Sequence, residues 1–369
     1  MAAHLEDVVF GLQLWQWALL AVLIFACGNY LLLMFYDRVV KPARESEEGF
    51  IDMPQLPAEG SASADLLTVQ TQTQQLQTQQ QTQPSLNLDD KSAKDWLGNL
   101  ALYDDFFAGV YDKLVQGEKR SAIEVALFEN EWRKVTPTLK LQEWRVLDVG
   151  CGTGLTTVAL AKLGVGKVVG LDRSEPILRR ARTVTVPAST LTDAQVAAIE
   201  WRNADAERLE AATQGEFTHA CVMYFSFYYI QDKAAFFRNM KHWIIPGGAL
   251  SVHVVNKSKF DPMLEAAAPT VFSLQKYANE RIMKSQVAFN EFDYEGVFDV
   301  DETPGATAAE FRETFRFKDG TIRRQRHTFD MPEMKDIVAL AQTAGWQYRG
   351  YIDNTSSGFE YTYTLLFTH

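Results

Sequence analysis

The chain has little cysteine. Among 369 residues there are three, Cys27, Cys151 and Cys221, far apart in sequence. That spacing excludes a disulfide framework and a paired-cysteine zinc site, and it suits a reducing compartment. Basic residues are outnumbered as well, 36 Lys and Arg against 47 Asp and Glu, for a net charge of −11. Phosphate contacts dominate affinity for nucleic acid, so this balance argues against a nucleic-acid binder, although it leaves room for a local basic patch. No Lys or Arg precedes Arg38. A cleaved signal peptide needs a basic leader and a short apolar core, and the chain offers neither.

What the N-terminal region does have is one long apolar run. Leu14 to Tyr36 carries no charge, and Gln16 and Asn29 are its strongly polar members. It is long enough to cross a bilayer as a helix, and longer than an uncharged core helix usually runs. Trp15, Trp17, Tyr30 and Tyr36 supply aromatics, those near the ends suiting membrane interfaces. Glu6 and Asp7 precede it; Arg38, Lys41 and Arg44 follow. By the positive-inside rule the expectation is a single-pass membrane protein, N-terminus out, with the folded domain cytosolic. The Gln/Thr tract Gln70–Gln83 has no apolar period and cannot offset its ordering entropy. The expected division is a short tail (1–13), a transmembrane helix (14–36), a disordered Gln-rich linker (37–90) and a folded domain (91–369) with an insertion at about 257–330.

From Lys91 onward the pattern changes. Trp96, Leu100, Tyr103, Phe106, Phe107, Val110, Tyr111 and Leu114 recur at helical spacing, and a second helix is predicted over Glu118–Lys134. Strands are predicted at Arg145–Val149, Lys167–Asp172, Glu200–Asn203, Thr218–Tyr224 and Ala249–Val255. Helices at Leu155–Leu163, Glu175–Thr183, Glu207–Ala212 and Asp232–Trp243 follow the first four. Such alternation predicts a parallel sheet covered by helices, with ligands outside the carboxyl ends of its strands. Within the insertion, Asp319-Gly320 predicts a hairpin between Phe311–Lys318 and Thr321–Phe329. A helix, Pro332–Ala344, and two strands, Trp346–Ile352 and Glu360–Phe367, close the chain.

The most informative stretch is RVLDVGCGTGL, Arg145 to Leu155. An apolar strand breaks into Gly150, Gly152 and Gly154 and enters a helix. Glycine lets a backbone approach a ligand closely. The spacing is G-x-G-x-G with no following lysine, so neither the dinucleotide fingerprint nor the P-loop is complete.

Taken with its neighbours, this stretch resembles the class I S-adenosylmethionine (SAM)-dependent methyltransferase family. Val168–Asp172 is similar to the second strand ending in an acid, and Asn203-Ala204-Asp205-Ala206 to the loop that meets adenine. Trp243–Leu250 is similar to the helix–PGG–strand segment. The implied fold is α/β, a Rossmann-like class I methyltransferase sheet of order 3-2-1-4-5-7-6 with N-terminal helices and an inserted β-hairpin. The implied cofactor is SAM. The implied cofactor residues are Asp148, Gly150, Cys151, Gly152, Thr153, Gly154, Asp172, Arg173, Ala204, Asp205, Ala206 and Tyr224. In the family the glycine loop lies against the cofactor's amino-acid end, the acid matching Asp172 holds the ribose hydroxyls, and that matching Asp205 accepts from the adenine amino group. No metal is implied.

Two departures matter. The family often has an acid early in the fourth strand, where this chain has Phe217-Thr218-His219-Ala220. Met223–Tyr229 lacks the Asn/Asp-Pro-Pro-Tyr/Phe motif of enzymes that methylate adenine or amide nitrogens. Candidates near the reacting atoms are Tyr224, His253 and Tyr103, with Tyr111, Phe225, Asn256 and His327 close by. The predicted hairpin carries Arg312, Arg316, Lys318, Arg323, Arg324 and Arg326, either as a solvated ribbon or as a surface for anionic groups. The apolar run and the resemblance together give the expectation of a membrane-anchored methyltransferase with a small-molecule or lipid-like acceptor. The alternatives are a protein or RNA methyltransferase and a non-catalytic SAM-binding module.

Overall fold

The computed structural model describes residues 96–115, 117–262, 281–301, 303 and 305–369, with the backbone of 8–9 and 12–13. The predicted transmembrane helix (14–36) and linker (37–90) lie outside the described residues. Among the described residues no helix is long and apolar enough to cross a membrane. The longest has 18 residues, of which eight are charged. The expectation of a single-pass membrane protein with a cytosolic domain is corrected on that finding. Val8–Val9 pairs antiparallel with Leu12–Gln13 in a small ladder of its own.

The domain opens with a short strand, β1 (Trp96–Leu97), then helices α1 (Asn99–Leu102), α2 (Asp105–Val115) and α3 (Glu118–Val135). The predicted helix from Trp96 is thus cut twice. Gly98 is extended before α1, and the Asp104 carboxylate accepts the Phe107 N–H at 3.0 Å and starts α2 afresh.

The alternating part runs β2 (Arg145–Val149), α4 (Leu155–Leu163), β3 (Lys167–Asp172), α5 (Glu175–Arg180), β4 (Ile199–Asn203), β5 (Phe217–Val222), α6 (Lys233–Trp243) and β6 (Ile244–Val255). The helix predicted at 207–212 is only a 3-10 turn, Leu209–Ala211. The insertion follows as β7 (Lys284–Ala288), β8 (Phe292–Val300), β9 (Ala308–Phe317) and β10 (Ile322–Asp330). The chain closes with α7 (Met334–Thr343), β11 (Gln347–Asp353) and β12 (Thr362–Thr368).

Seven strands form one sheet in the order β11-β12-β6-β5-β2-β3-β4. Read from the β4 edge and counted within the sheet, this is 3-2-1-4-5-7-6. Strands β4, β3, β2, β5 and β6 are parallel; β12 runs antiparallel to both its neighbours. Every residue of β5 is buried, as expected of a central strand covered on both faces.

On one face α3 packs its aromatic stripe on the sheet. Phe128, Trp132 and Trp144 are buried there. Thr218 and His219, which stand where the family often has an acid, belong to this packing. The His219 ring lies 4.7 Å from Trp132 and 4.3 Å from Trp144, and both its nitrogens meet threonine hydroxyls, Thr136 at 3.1 Å and Thr218 at 2.8 Å.

The insertion is more than the predicted hairpin. Its four strands join β1 in a five-stranded sheet in the order β1-β10-β9-β8-β7, with β1 parallel to β10 and the others antiparallel. Strands β7 and β8 escape the periodicity argument because Glu295 and Gly296 interrupt the apolar alternation of β8 at buried positions. One face carries Phe311, Glu313 and Phe315 opposite His327, Gln325 and Arg323. Leu102, Phe107, Val110 and Leu114 of the N-terminal helices cluster with Phe292, Tyr294 and Phe315 of this sheet. Of the hairpin's basic residues, Arg323 pairs with Asp104 (2.7 Å), Arg312 with Asp299 (3.5 Å) and Arg326 with Glu310 (3.6 Å).

Candidate active site

The glycine loop follows β2 at the carboxyl rim of the large sheet. Gly150 has φ +65°, and a Cβ there would stand 2.7 Å from Ser226 Cβ. Gly154 has φ +84°, and its Cβ would stand 2.6 Å from the Trp201 ring. Both positions are closed to other residues by sterics and by backbone angle. Gly154 is therefore a packing glycine, whereas at Gly152 a Cβ would meet nothing within 4 Å and open space lies before it.

That space is a cleft of about 780 Å³ whose wall includes Gly150, Gly152, Asp172, Arg173, Asp205 and Ala206. Asp172 sits at the end of β3. One carboxylate oxygen accepts the Gly152 N–H at 3.0 Å and the other the Ser174 N–H at 2.9 Å. Burial pushes its pKa up, against the pull of these backbone donors. Each oxygen keeps a further lone pair, so the group can still take two hydroxyl donors. Asp205 accepts the Glu207 N–H at 2.9 Å and lies 3.6 Å from the Arg173 guanidinium.

Asp148, Thr153 and Ala204 of the predicted cofactor set support the loop and the end of β3 rather than line the cleft. Asp148 is buried beneath it, accepting the Thr157 hydroxyl at 2.6 Å, with the Cys221 thiol at 3.8 Å. Burial raises its pKa to about 7. The Thr153 hydroxyl donates to Asp112 of α2 at 2.6 Å, and the Ala204 N–H donates to the Asp172 carbonyl at 3.1 Å. Cys151 is a buried free thiol whose pKa burial pushes up.

A second cavity of about 920 Å³ lies beside the cleft, between the sheet rim, the N-terminal helices and the inserted sheet. Its walls are mainly aromatic, among them Phe107, Phe225, Phe260, Phe298, Phe311 and Phe329. Tyr103, Tyr111, Ser226 and Tyr229 line both cavities and form the partition.

Of the three candidate catalytic residues, Tyr103 stands in this partition, and Tyr224 and His253 line the aromatic cavity. Tyr224 adopts φ +54°, uncommon for a residue with a side chain. Such strain costs on the order of 1–3 kcal/mol and clusters at functional sites. Its carbonyl accepts the His253 Nδ1–H at 2.8 Å, and its ring lies 4.1 Å beneath the Arg120 guanidinium. His253 is 2% exposed. Burial, helped by Arg120, lowers its pKa to about 3. A base that weak is a poor match for neutral pH, so His253 serves as a strut for the Tyr224 loop.

A polar chain not legible in the sequence runs from the partition into the inserted sheet. The Tyr103 hydroxyl donates to Tyr229 at 2.8 Å. Tyr229 is hydrogen-bonded to His327 Nδ1, and His327 Nε2 meets Glu313 at 2.5 Å. Glu313 also accepts from Tyr294 at 2.7 Å and Gln325 at 2.6 Å. Desolvation holds Tyr103 and Tyr229 well above the usual phenol range, so both stay protonated. Glu313 and Gln325 did leave a signal: each is a polar residue at an inward position of a strand whose other inward members include phenylalanines.

The fold is that of class I SAM-dependent methyltransferases, and residues 146–248 match the model of a methyltransferase domain. Two solved structures share the fold. The CcbJ methyltransferase from Streptomyces caelestis superposes with a TM-score of 0.52 at 19% identity, covering 73% of this chain and 98% of that one. A SAM-dependent methyltransferase from Clostridium acetobutylicum superposes with a TM-score of 0.51 at 16% identity, covering 72% and 98%. Among sequence relatives, the ubiquinone biosynthesis O-methyltransferase of Rhizobium rhizogenes is 30% identical over 147 residues, 40% of this chain and 53% of the relative. That of Xanthomonas euvesicatoria is 30% identical over 125 residues, 34% and 48%. The chain thus spans about half the length of these relatives.

Proposed function

We propose that this chain is a SAM-dependent methyltransferase for a small, largely aromatic or apolar acceptor. The observation that carries the proposal is the pair of adjoining cavities sharing Tyr103, Tyr111, Ser226 and Tyr229. One has the acids and bare glycine backbone suited to a nucleoside with an amino-acid tail. The other has the aromatic walls suited to a ring or an apolar chain. The names of the sequence relatives support a small-molecule acceptor.

SAM would supply an electrophilic methyl on sulfur. Gly150 and Gly152 would admit its amino-acid end, Asp172 would accept from the ribose hydroxyls, and Asp205 would accept from the adenine amino group. The protein's remaining work is to align the acceptor through the partition and keep water out, which lowers the barrier by proximity and by a dry site. The aromatic cavity does both.

Calorimetric titration of the full chain with SAM tests this reading. Micromolar affinity, about −7 to −8 kcal/mol, is expected. Asp172→Ala should weaken it by roughly 1.5–3 kcal/mol, the worth of hydrogen bonds to a charged group. Equal affinity in the two proteins would remove the ribose assignment, and no binding to the native chain would remove the proposal.

A further inference from the structure

We infer that the chain Tyr103–Tyr229–His327–Glu313 is a proton exit, and that the methyl acceptor is therefore a hydroxyl. This rests on the methyltransferase reading of the two cavities and adds the chemical class of the acceptor.

The donors and acceptors are ordered in one direction. Tyr103 donates to Tyr229. Tyr229, whose oxygen accepts from Tyr103, is hydrogen-bonded to His327 Nδ1, and His327 Nε2 meets Glu313 at 2.5 Å; in the proposed relay Tyr229 donates to Nδ1 and Nε2–H donates to the carboxylate. With Nε2–H turned to Glu313, the relay has the Nδ1 lone pair at the Tyr229 end, and the carboxylate behind the ring is placed to stabilise an imidazolium. Gln325 holds that carboxylate at 2.6 Å, and its own carbonyl is oriented by the Arg323 Nε–H at 2.9 Å. The open end of the chain is the hydroxyl of Tyr103, a residue that lines both cavities.

A purely structural role accounts poorly for these residues. Glu313 is 1% exposed and His327 4%, on a sheet face otherwise rich in phenylalanine. Burying a carboxylate costs several kcal/mol, and an apolar residue of similar size would pack there without that cost. The titratable groups facing His327 are Tyr103 from the α1–α2 turn, Tyr229 from the loop after β5, and Glu313 from β9. The remaining ring neighbours, Phe107, Phe311 and Phe329, carry no charge.

The step balances. The acceptor's O–H donates to Tyr103, its oxygen forms a bond to the methyl carbon, and the C–S pair returns to sulfur. The acceptor proton passes to Tyr103, Tyr103 passes its own to Tyr229, and Tyr229 passes its own to His327 Nδ1. A neutral ether and an imidazolium paired with Glu313 remain. A neutral amine attacks with its protons still in place, whereas a hydroxyl oxygen becomes a strong nucleophile only as its proton leaves, so the sink is needed before the methyl arrives for a hydroxyl and not for an amine.

The test uses 4-nitrophenol, whose phenolate is yellow, titrated into the full chain with and without S-adenosylhomocysteine. The bound dye is expected to be a stronger acid by about tenfold or more, one pKa unit. Tyr103→Phe, which removes one oxygen at the open end, should bind the dye and abolish the shift, and His327→Gln should do the same. Dye that stays out of the protein, binds with an unchanged midpoint, or shifts equally in Tyr103→Phe overturns the proposal. The arm without S-adenosylhomocysteine keeps this result separate from the cofactor reading, which the SAM titration decides on its own.

Discussion

Trp132→Ala is expected to cost about 5 kcal/mol of folding stability, roughly a third or more of what a domain of ordinary stability has. Trp132 is 1% exposed. It carries α3 onto the large sheet through ring contacts with Phe128 (4.6 Å), Trp144 (5.9 Å) and His219 (4.7 Å). Removing so large a buried ring costs about 3–5 kcal/mol through lost transfer energy and the residual cavity. Its indole N–H also donates to the buried Ser251 hydroxyl at 2.9 Å. Leaving that hydroxyl without its donor adds about 1–3 kcal/mol. Trp132→Phe keeps most of the apolar surface and should lose roughly half as much. Urea unfolding of the three proteins measures both differences, and a loss under about 2 kcal/mol for the alanine variant would mean that α3 is not held this way.

The second large effect is on the pH dependence of stability. His219 and His253 are buried neutral, and desolvation lowers the pKa of each to about 3. An unfolded chain protonates them near 6.5, so each makes the fold less stable as pH falls from about 6.5 toward 3. Asp148 acts in the opposite sense. Burial raises its pKa to about 7, above its unfolded value, so the folded state takes up that proton first. Its contribution is complete at low pH and is lost as pH rises through about 7. Between pH 7 and 4 the two histidines together cost on the order of 7 kcal/mol, and Asp148 returns on the order of 4. These three groups together contribute a net loss of about 3 kcal/mol. Asp148→Asn removes the opposing contribution, so its loss over the same interval should exceed that of the native chain by on the order of 4 kcal/mol. Urea midpoints at half-unit steps from pH 4 to 7.5 give both slopes; parallel slopes would mean that Asp148 is not protonated in the fold.

Both predictions concern parts of the molecule that differ in how far the sequence disclosed them. The strand ending at Asp172 and the loop of Gly150 and Gly152 are local features. A valine-rich run, a glycine turn and a helix are adjacent in the chain, so their order alone places them on one rim. His219 is different. Its residue type stood where an acid is usual, and only the Trp132 and Trp144 rings closing on it explain why a neutral imidazole is accommodated there. Gly154 likewise looked like a loop glycine of the site until Trp201 of β4 was found against it.

What the sequence by itself determined was the alternation of β2 through β6 with their helices, the two closing strands, and the acids at strand ends. These follow from period, turn chemistry and neighbours within a few residues. The tertiary structure alone decided that the insertion builds a five-stranded sheet with β1, that Tyr103 lines two cavities, and that Tyr229, His327 and Glu313 form one chain. Those contacts join residues about a hundred or more positions apart in the case of Tyr103, Tyr229 and His327. A hydrogen bond across that distance leaves no periodicity behind; it exists only once β9 and β10 have turned one face toward the rim.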